Sequence, residues 1–141
     1  MSAGSCYTAR KDAADALILV IDDYVDLAEP LTRLLRRMGY QVEALFSGEK
    51  AIEYLSGHHP YLVILDLLLP GLSGLQVLYW IRSQPGWKDL PVMVYTTTTE
   101  SELLRQAVEA GATEVWLKGS MDFFQIVARV ESHVPRALEK Q

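Results

Sequence analysis

The residues best suited to chemistry in this sequence stand at the ends of short aliphatic runs. "ALILVI" (16–21) is followed by Asp22-Asp23, and "YLVIL" (61–65) is followed by Asp66. "LPVMVYT" (90–96) closes on Thr96, and "TEVWL" (113–117) leads into Lys118. A carboxylate set beside a buried apolar run is costly unless something pairs with it or coordinates it. Carboxylates gathered in one place repel each other and raise the pKa of one of them. A hard divalent cation removes that repulsion. Mg²⁺ takes oxygen ligands in near-octahedral geometry, commonly one or two carboxylates plus phosphate oxygens. A nucleophilic carboxylate, such a metal, a hydroxyl and an ammonium together suit a phosphoryl group, whose transfer needs mainly positioning and charge neutralisation.

The elements between these residues explain how they could meet. Aliphatic runs alternate with helical patterns in the order βαβαβαβαβα. "VDLAEPLTRLLRRMG" carries Leu27, Leu31, Leu34, Leu35 and Met38 at helical spacing, with Gly39 as terminator and Pro30 placed in its first turns. "YQVEALF" (40–46) is β-like, and Ser47 is expected to cap "GEKAIEYLS", which ends at Gly57. Ser73 is expected to cap "GLQVLYWIRSQ", and Thr99 with Glu102 has capping-box spacing ahead of "SELLRQAVEAG". "MDFFQIVARVESHV" (121–134) is the last helix. This alternation predicts an α/β doubly wound domain of flavodoxin-like type, a five-stranded parallel sheet covered on both faces. Such sheets bind ligands beyond the carboxyl ends of their strands, where strand order reverses. With the order 2-1-3-4-5, the first and third strands are neighbours. Asp22, Asp23 and Asp66 then converge, with Thr96 and Lys118 along the same edge.

The chain has 141 residues, half of them hydrophobic and 22% charged, with a formal net charge of −5. That composition fits one globular domain with one core, and argues against direct nucleic-acid binding. The single Cys6 excludes an internal disulfide and fits a reducing, cytoplasmic setting. No run is long enough to span a bilayer or to serve as a signal-peptide core. Residues 1–15 read as a flexible leader, 16–135 as the domain and 136–141 as a tail. An output module would typically add roughly 100 residues, so the chain reads as either a stand-alone unit or a piece of a longer protein.

Four motifs in order, "LVIDD" (19–23), "LVILDLLLPGLSG" (62–74), "PVMVYTT" (91–97) and "GATEVWLKG" (111–119), resemble the receiver domain of two-component response regulators over roughly residues 16–135. The resemblance implies a phosphorylatable switch. Asp66 would accept a phosphoryl group from a histidine kinase or phosphotransfer protein, and the signal would pass to a protein target through the fourth helix, fifth strand and fifth helix. It implies Asp23 as direct metal ligand, Asp22 as the acidic neighbour acting largely through water, and the backbone carbonyl of Leu68 as a further ligand. Thr96 would close on the phosphoryl group, and Lys118 would pair with it. No enzymatic activity is expected beyond the chain's own phosphoryl transfer and slow autodephosphorylation. Two departures stand out. Gly119 replaces the proline that usually follows the lysine, often through a cis peptide; a cis non-proline bond costs about 3 kcal/mol, which favours a trans bond here. Val115 stands where the family often carries a rotating aromatic ring, with Trp116 beside it.

Simpler readings compete. Asp22-Asp23 alone would serve as an acidic cap on a helix N-terminus. His58, His59 and His133 read as surface residues, the Phe123-Phe124 pair as core, and Trp80, Trp87 and Trp116 as packing anchors, with an exposed interaction role as the alternative for Trp116. Two further functions compete with the phosphorylated switch. One is a receiver-like binding module that does not need phosphate. The other is a haloacid-dehalogenase-like phosphatase, against which Leu68 stands at the place of a second aspartate.

Overall fold

The computed structural model describes residues 16–135. Five strands, β1 (Leu17–Ile21), β2 (Gln41–Leu45), β3 (Leu62–Leu65), β4 (Val92–Thr96) and β5 (Glu114–Leu117), alternate with five helices. The helices are α1 (Val25–Arg37), α2 (Gly48–Leu55), α3 (Gly74–Ser83), α4 (Ser101–Glu109) and α5 (Phe123–His133). The strands form one parallel sheet in the order β2-β1-β3-β4-β5. This is the expected flavodoxin-like order. The expected leader and tail lie outside the described residues. Among the described residues, no helix is long and apolar enough to cross a membrane.

Side-chain alternation along the strands divides the core into two layers. Ile18, Val20, Leu62, Ile64, Met93 and Tyr95 face α1 and α5, where Leu31, Leu35, Ile126 and Val130 meet them. Leu19, Ile21, Val63, Leu65 and Val92 face the other way, onto Ala51 and Leu55 of α2 and Val77 and Ile81 of α3. Leu67, Val94 and Ala107 extend that second layer toward α4. Fully burying each of these side chains is worth about 1.5–3 kcal/mol, so β1 and β3, apolar on both faces, can only be central.

Ser47 accepts the Lys50 N–H, and Ser73 forms a capping box with Gln76, as their positions predict. A second capping box, Asp122 with Gln125, opens α5. Pro30 sits in the second turn of α1, which runs unbroken to Arg37. Gly39 and Gly111 close α1 and α4 at φ of 104° and 106°.

Three expectations are corrected. Thr99 does not cap α4: the helix begins at Ser101 with Glu100 as N-cap and no side-chain cap. Glu102 instead pairs with Arg105, and the Thr98 hydroxyl accepts the Glu100 N–H at 3.2 Å. Phe124 is not core but 81% exposed, because Ile126, Val127 and Val130 set the buried stripe of α5 and leave residue 124 on the outer face. Trp116, by contrast, is buried as expected of a packing anchor, which rules out the alternative of an exposed interaction residue. His133 is not free in solvent, since its Nε2 lies 3.2 Å from Glu114. His58 and His59 are exposed, stacked on Tyr54 and set edge-on to Trp87 respectively.

Candidate functional site

The site lies where β1 and β3 end side by side. Their register pairs Ile21 with Leu65, so the next residue of each strand, Asp22 and Asp66, leaves the sheet at the same level. Backbone bonds fix both: the Asp66 N–H donates to the Ile21 carbonyl and the Asp22 N–H to the Leu45 carbonyl, each at 3.0 Å. This is the switch point of the sheet, from which the chain departs to opposite sides.

Asp22 and Asp66 are buried, whereas Asp23 is exposed at the opening. Each of the three offers a carboxylate oxygen within 4.8 Å of the others. Lys118 reaches in from beyond β5. Its Nζ donates to Asp22 Oδ2 at 2.7 Å and to Asp66 Oδ2 at 3.2 Å, and its side chain is only 8% exposed. The Tyr24 N–H donates to Asp22 Oδ1 at 2.9 Å, and the Leu68 N–H to Asp66 Oδ1 at 3.1 Å. Asp22 is therefore not a hydrogen-bonding cap of α1. Asp22 spends one oxygen on the loop ahead of α1, and α1 has no side-chain cap.

Burial is the largest influence on Asp22 and raises its pKa, against the hydrogen bonds from Lys118 and the Tyr24 N–H. Burial pulls Lys118 down, but the bond to Asp22 and the charges of Asp66 and Asp22 outweigh it, so its net shift is upward and the ammonium form is favoured. One ammonium faces three carboxylates. The charge left over, the all-oxygen donor set and the exposed position of Asp23 fit a hard divalent cation. Leu68 is 46% exposed in the loop two residues past Asp66.

Thr96 closes β4 and is fully buried. Its backbone carbonyl accepts the Lys118 N–H at 2.8 Å, which ties the two residues to one edge. Among the described residues its hydroxyl accepts one hydrogen bond, from the Thr98 N–H at 3.4 Å. The Lys118–Gly119 peptide is trans, and Gly119 takes a φ of 91° in open space. Val115 packs with Leu67, Val94 and Ala107 on the α4 side of the sheet.

All six residues expected to form the site thus gather at one edge. Sequence reasoning missed Gly74. A Cβ there would lie 2.0 Å from the Asp66 carbonyl oxygen and 2.6 Å from Leu67 Cα. Only glycine lets α3 start against the loop that carries Asp66. The signal was present in "GLSG" (71–74) but could not be read without knowing which backbone approaches it. Tyr95 was also missed. It precedes Thr96, and the ladder sets it against Trp116.

Comparison with known proteins agrees with this geometry. A family model for the response regulator receiver domain matches residues 18–131. The chain belongs to that family. Among curated relatives, the transcriptional regulatory protein KdpE of Mycobacterium tuberculosis is 40% identical over 121 residues, covering 85% of this chain and 51% of that protein. This receiver therefore spans about half the length of the curated relatives it matches. A solved response regulator from Chloroflexus aurantiacus J-10-fl superposes with a TM-score of 0.77 at 31% identity, covering 86% of this chain and 99% of that one. The Mn²⁺-bound form of response regulator Rcp1 superposes with a TM-score of 0.72 at 26% identity, covering 83% and 92%. Receivers of this family act as switches in two-component signalling.

Proposed function

We propose that this receiver is a phosphorylatable switch that takes a phosphoryl group onto Asp66 from a phosphohistidine and signals through protein contacts. The observation that carries the reading is the buried Asp66 carboxylate, 3.2 Å from the Lys118 ammonium and within 4.8 Å of two further carboxylates at the mouth of the sheet. An Asp66 oxygen attacks phosphorus, the P–O bond forms as the P–N bond breaks, and the imidazole leaves with that bond's electron pair. Asp22, Asp23 and Asp66 would hold Mg²⁺, with the Leu68 carbonyl as the further ligand the family implies. When bound, the ion neutralises the carboxylates and the phosphoryl oxygens.

The chain's own residues do the positioning. The Leu68 N–H holds one oxygen of Asp66 and fixes the carboxylate plane. Lys118 stands ready to move from Asp22 to the new phosphoryl oxygens, since a charge-assisted bond to phosphate is at least as strong as the one it leaves. Thr96, whose hydroxyl makes one long contact, is free to turn toward the same oxygens. A manganese ion in the related Rcp1 supports a divalent cation in the site. The phosphoryl donor is a histidine kinase or phosphotransfer protein, and the reader is a protein docking on the α4–β5–α5 face. The transcriptional role named for KdpE belongs to a protein about twice as long and is not assigned to this chain.

The test is incubation with Mg²⁺ and phosphoramidate followed by intact-mass measurement. One phosphoryl adduct is expected on wild type and none on Asp66→Asn. A wild-type chain that stays unmodified, or an Asp66→Asn chain modified to the same extent, refutes the reading. Partner binding that survives Asp66→Asn unchanged would instead favour the phosphate-independent binding module.

A further inference from the structure

A continuous run of side-chain contacts leaves the carboxylate site on the α1/α5 side of the sheet. It begins at Lys118, whose ammonium lies 5.6 Å from the centre of the Tyr95 ring. The Tyr95 ring meets Trp116 edge to face, with centroids 6.3 Å apart and planes at 71°. The two residues are register partners on β4 and β5, and both are 3% exposed. The Trp116 indole N–H, its one polar atom, donates to Glu114 Oε1 at 2.7 Å. Glu114 also receives the Arg129 guanidinium, with Nε at 3.1 Å, and lies 3.2 Å from His133 Nε2. Arg129 and His133 stand one turn apart on the last half of α5.

Val115, the position where many relatives of this family carry a ring, packs among aliphatic side chains in the opposite layer. The aromatic mass of β4 and β5 is thus on the α5 side, and the hydrogen bond that leaves it at the indole leads through Glu114 to α5.

We propose that the Tyr95–Trp116 pair couples the charge state of the carboxylate site to α5, with Glu114 as the link between the indole and the helix. This rests on the phosphorylation reading above. In the present arrangement Lys118 is shared between Asp22 and Asp66. A phosphoryl group on Asp66 draws the ammonium away from Asp22 and changes its place over the Tyr95 face, and with it the cation–π attraction between the two. Buried rings in a close-packed core have no free volume to absorb that change alone. Trp116 moves with Tyr95, and because its N–H is held by Glu114, the displacement reaches Arg129 and His133. Val115 needs no swing for α5 to respond.

The test uses NMR on the full chain with Mg²⁺ and beryllium fluoride, a stable phosphoryl mimic. The fluorine signal of the bound mimic reports the Asp66 site by itself, with Asp66→Asn as its blank. The indole N–H resonances report the coupling, and Trp116→Phe assigns the one that matters. The expected result is a shift of the Trp116 indole and of the His133 ring signals, with Trp80 and Trp87, packed in the other layer, unmoved. In Glu114→Gln the mimic still binds and the Trp116 shift persists, but the His133 shift is lost. In Tyr95→Leu the mimic binds and the Trp116 shift is lost, while Tyr95→Phe keeps it. A bound mimic with an unmoved Trp116 indole in wild type overturns the coupling, as does a His133 shift undiminished in Glu114→Gln. Those two results decide the matter even if Tyr95→Leu does not fold. Failure of wild type to bind the mimic refutes the phosphorylation reading itself.

Discussion

Replacing Gly74 by alanine adds one methyl group at the tightest point around Asp66. That methyl would lie 2.0 Å from the Asp66 carbonyl oxygen, 2.8 Å from the Asp66 carbonyl carbon and 2.6 Å from Leu67 Cα. All three are backbone atoms, and both residues are buried. No rotamer change relieves the clash, so α3 and the Asp66–Leu67 backbone must separate by at least about 1 Å to reach an ordinary contact. Overpacking of a buried site costs about 1–3 kcal/mol. A clash with backbone belongs at the upper end, and about 3 kcal/mol in a domain of this size lowers Tm by roughly 10 °C. The same shift moves the carboxylate that takes the phosphoryl group. A misplacement of about 1 Å can slow a positioned reaction by about 10²-fold. Differential scanning calorimetry and the initial rate of phosphoramidate adduct formation measure the two effects. Gly57→Ala is the control, since a Cβ there meets nothing within 4 Å. A Gly74→Ala protein that melts with wild type and is phosphorylated at its rate would refute the claim that this glycine sets the acceptor loop.

Other perturbations test other links. Lys118→Met leaves Asp22 and Asp66 buried without their partner, and should cost about 3–5 kcal/mol in metal-free buffer; added Mg²⁺ should recover more Tm in this variant than in wild type, and equal gains would show that the cation and the ammonium do not answer the same charge. Ser73→Ala removes a complete capping box and should cost about 1 kcal/mol, whereas Thr99→Ala should change stability by less than about 0.5 kcal/mol, both read from urea midpoints. The bonds from Arg129, ahead of those from Trp116 and His133, hold the Glu114 carboxyl down from 4.5 to about 2. A depressed carboxylate adds stability above its unfolded pKa and loses it as pH falls through the folded one. Glu114→Gln should therefore be less stable than wild type at pH 7, with the difference closing between about pH 4.5 and 2; a difference that stays constant over that window would contradict the assignment.

The alternation of aliphatic runs and amphipathic segments was enough to read the five strands and their parallel pairing; their order was assumed, in line with the family resemblance, and the sheet bears it out. A run such as "LVIL" with no polar face can be satisfied only between two layers of helices. The site was legible for the same reason. Residues that follow parallel strands emerge along one edge of the sheet, so Asp22, Asp66, Thr96 and Lys118 could be placed there once the strand order was assumed. Caps at Ser47 and Ser73 were legible because a cap bonds only its own first turn. Thr99 misled because its spacing to Glu102 met the pattern while the turn set by Thr98 started the helix later.

Phe124, Trp116 and Gly74 could not be decided from the chain. A phenylalanine near a helix start is core or surface according to which stripe faces the sheet, and Ile126, Val127 and Val130 took that stripe. Whether Trp116 is buried depends on the layer its strand turns it toward, and on Glu114 lying near enough to hold its N–H. The need for glycine at residue 74 exists only because the backbone of Asp66 passes 2.0 Å from where a side chain would begin. Periodicity and strand ends are properties of neighbouring residues, so the linear chain carries them. Which layer a side chain enters, and which backbone passes beside it, depend on how packed elements meet, and both are decided only when the domain closes on itself.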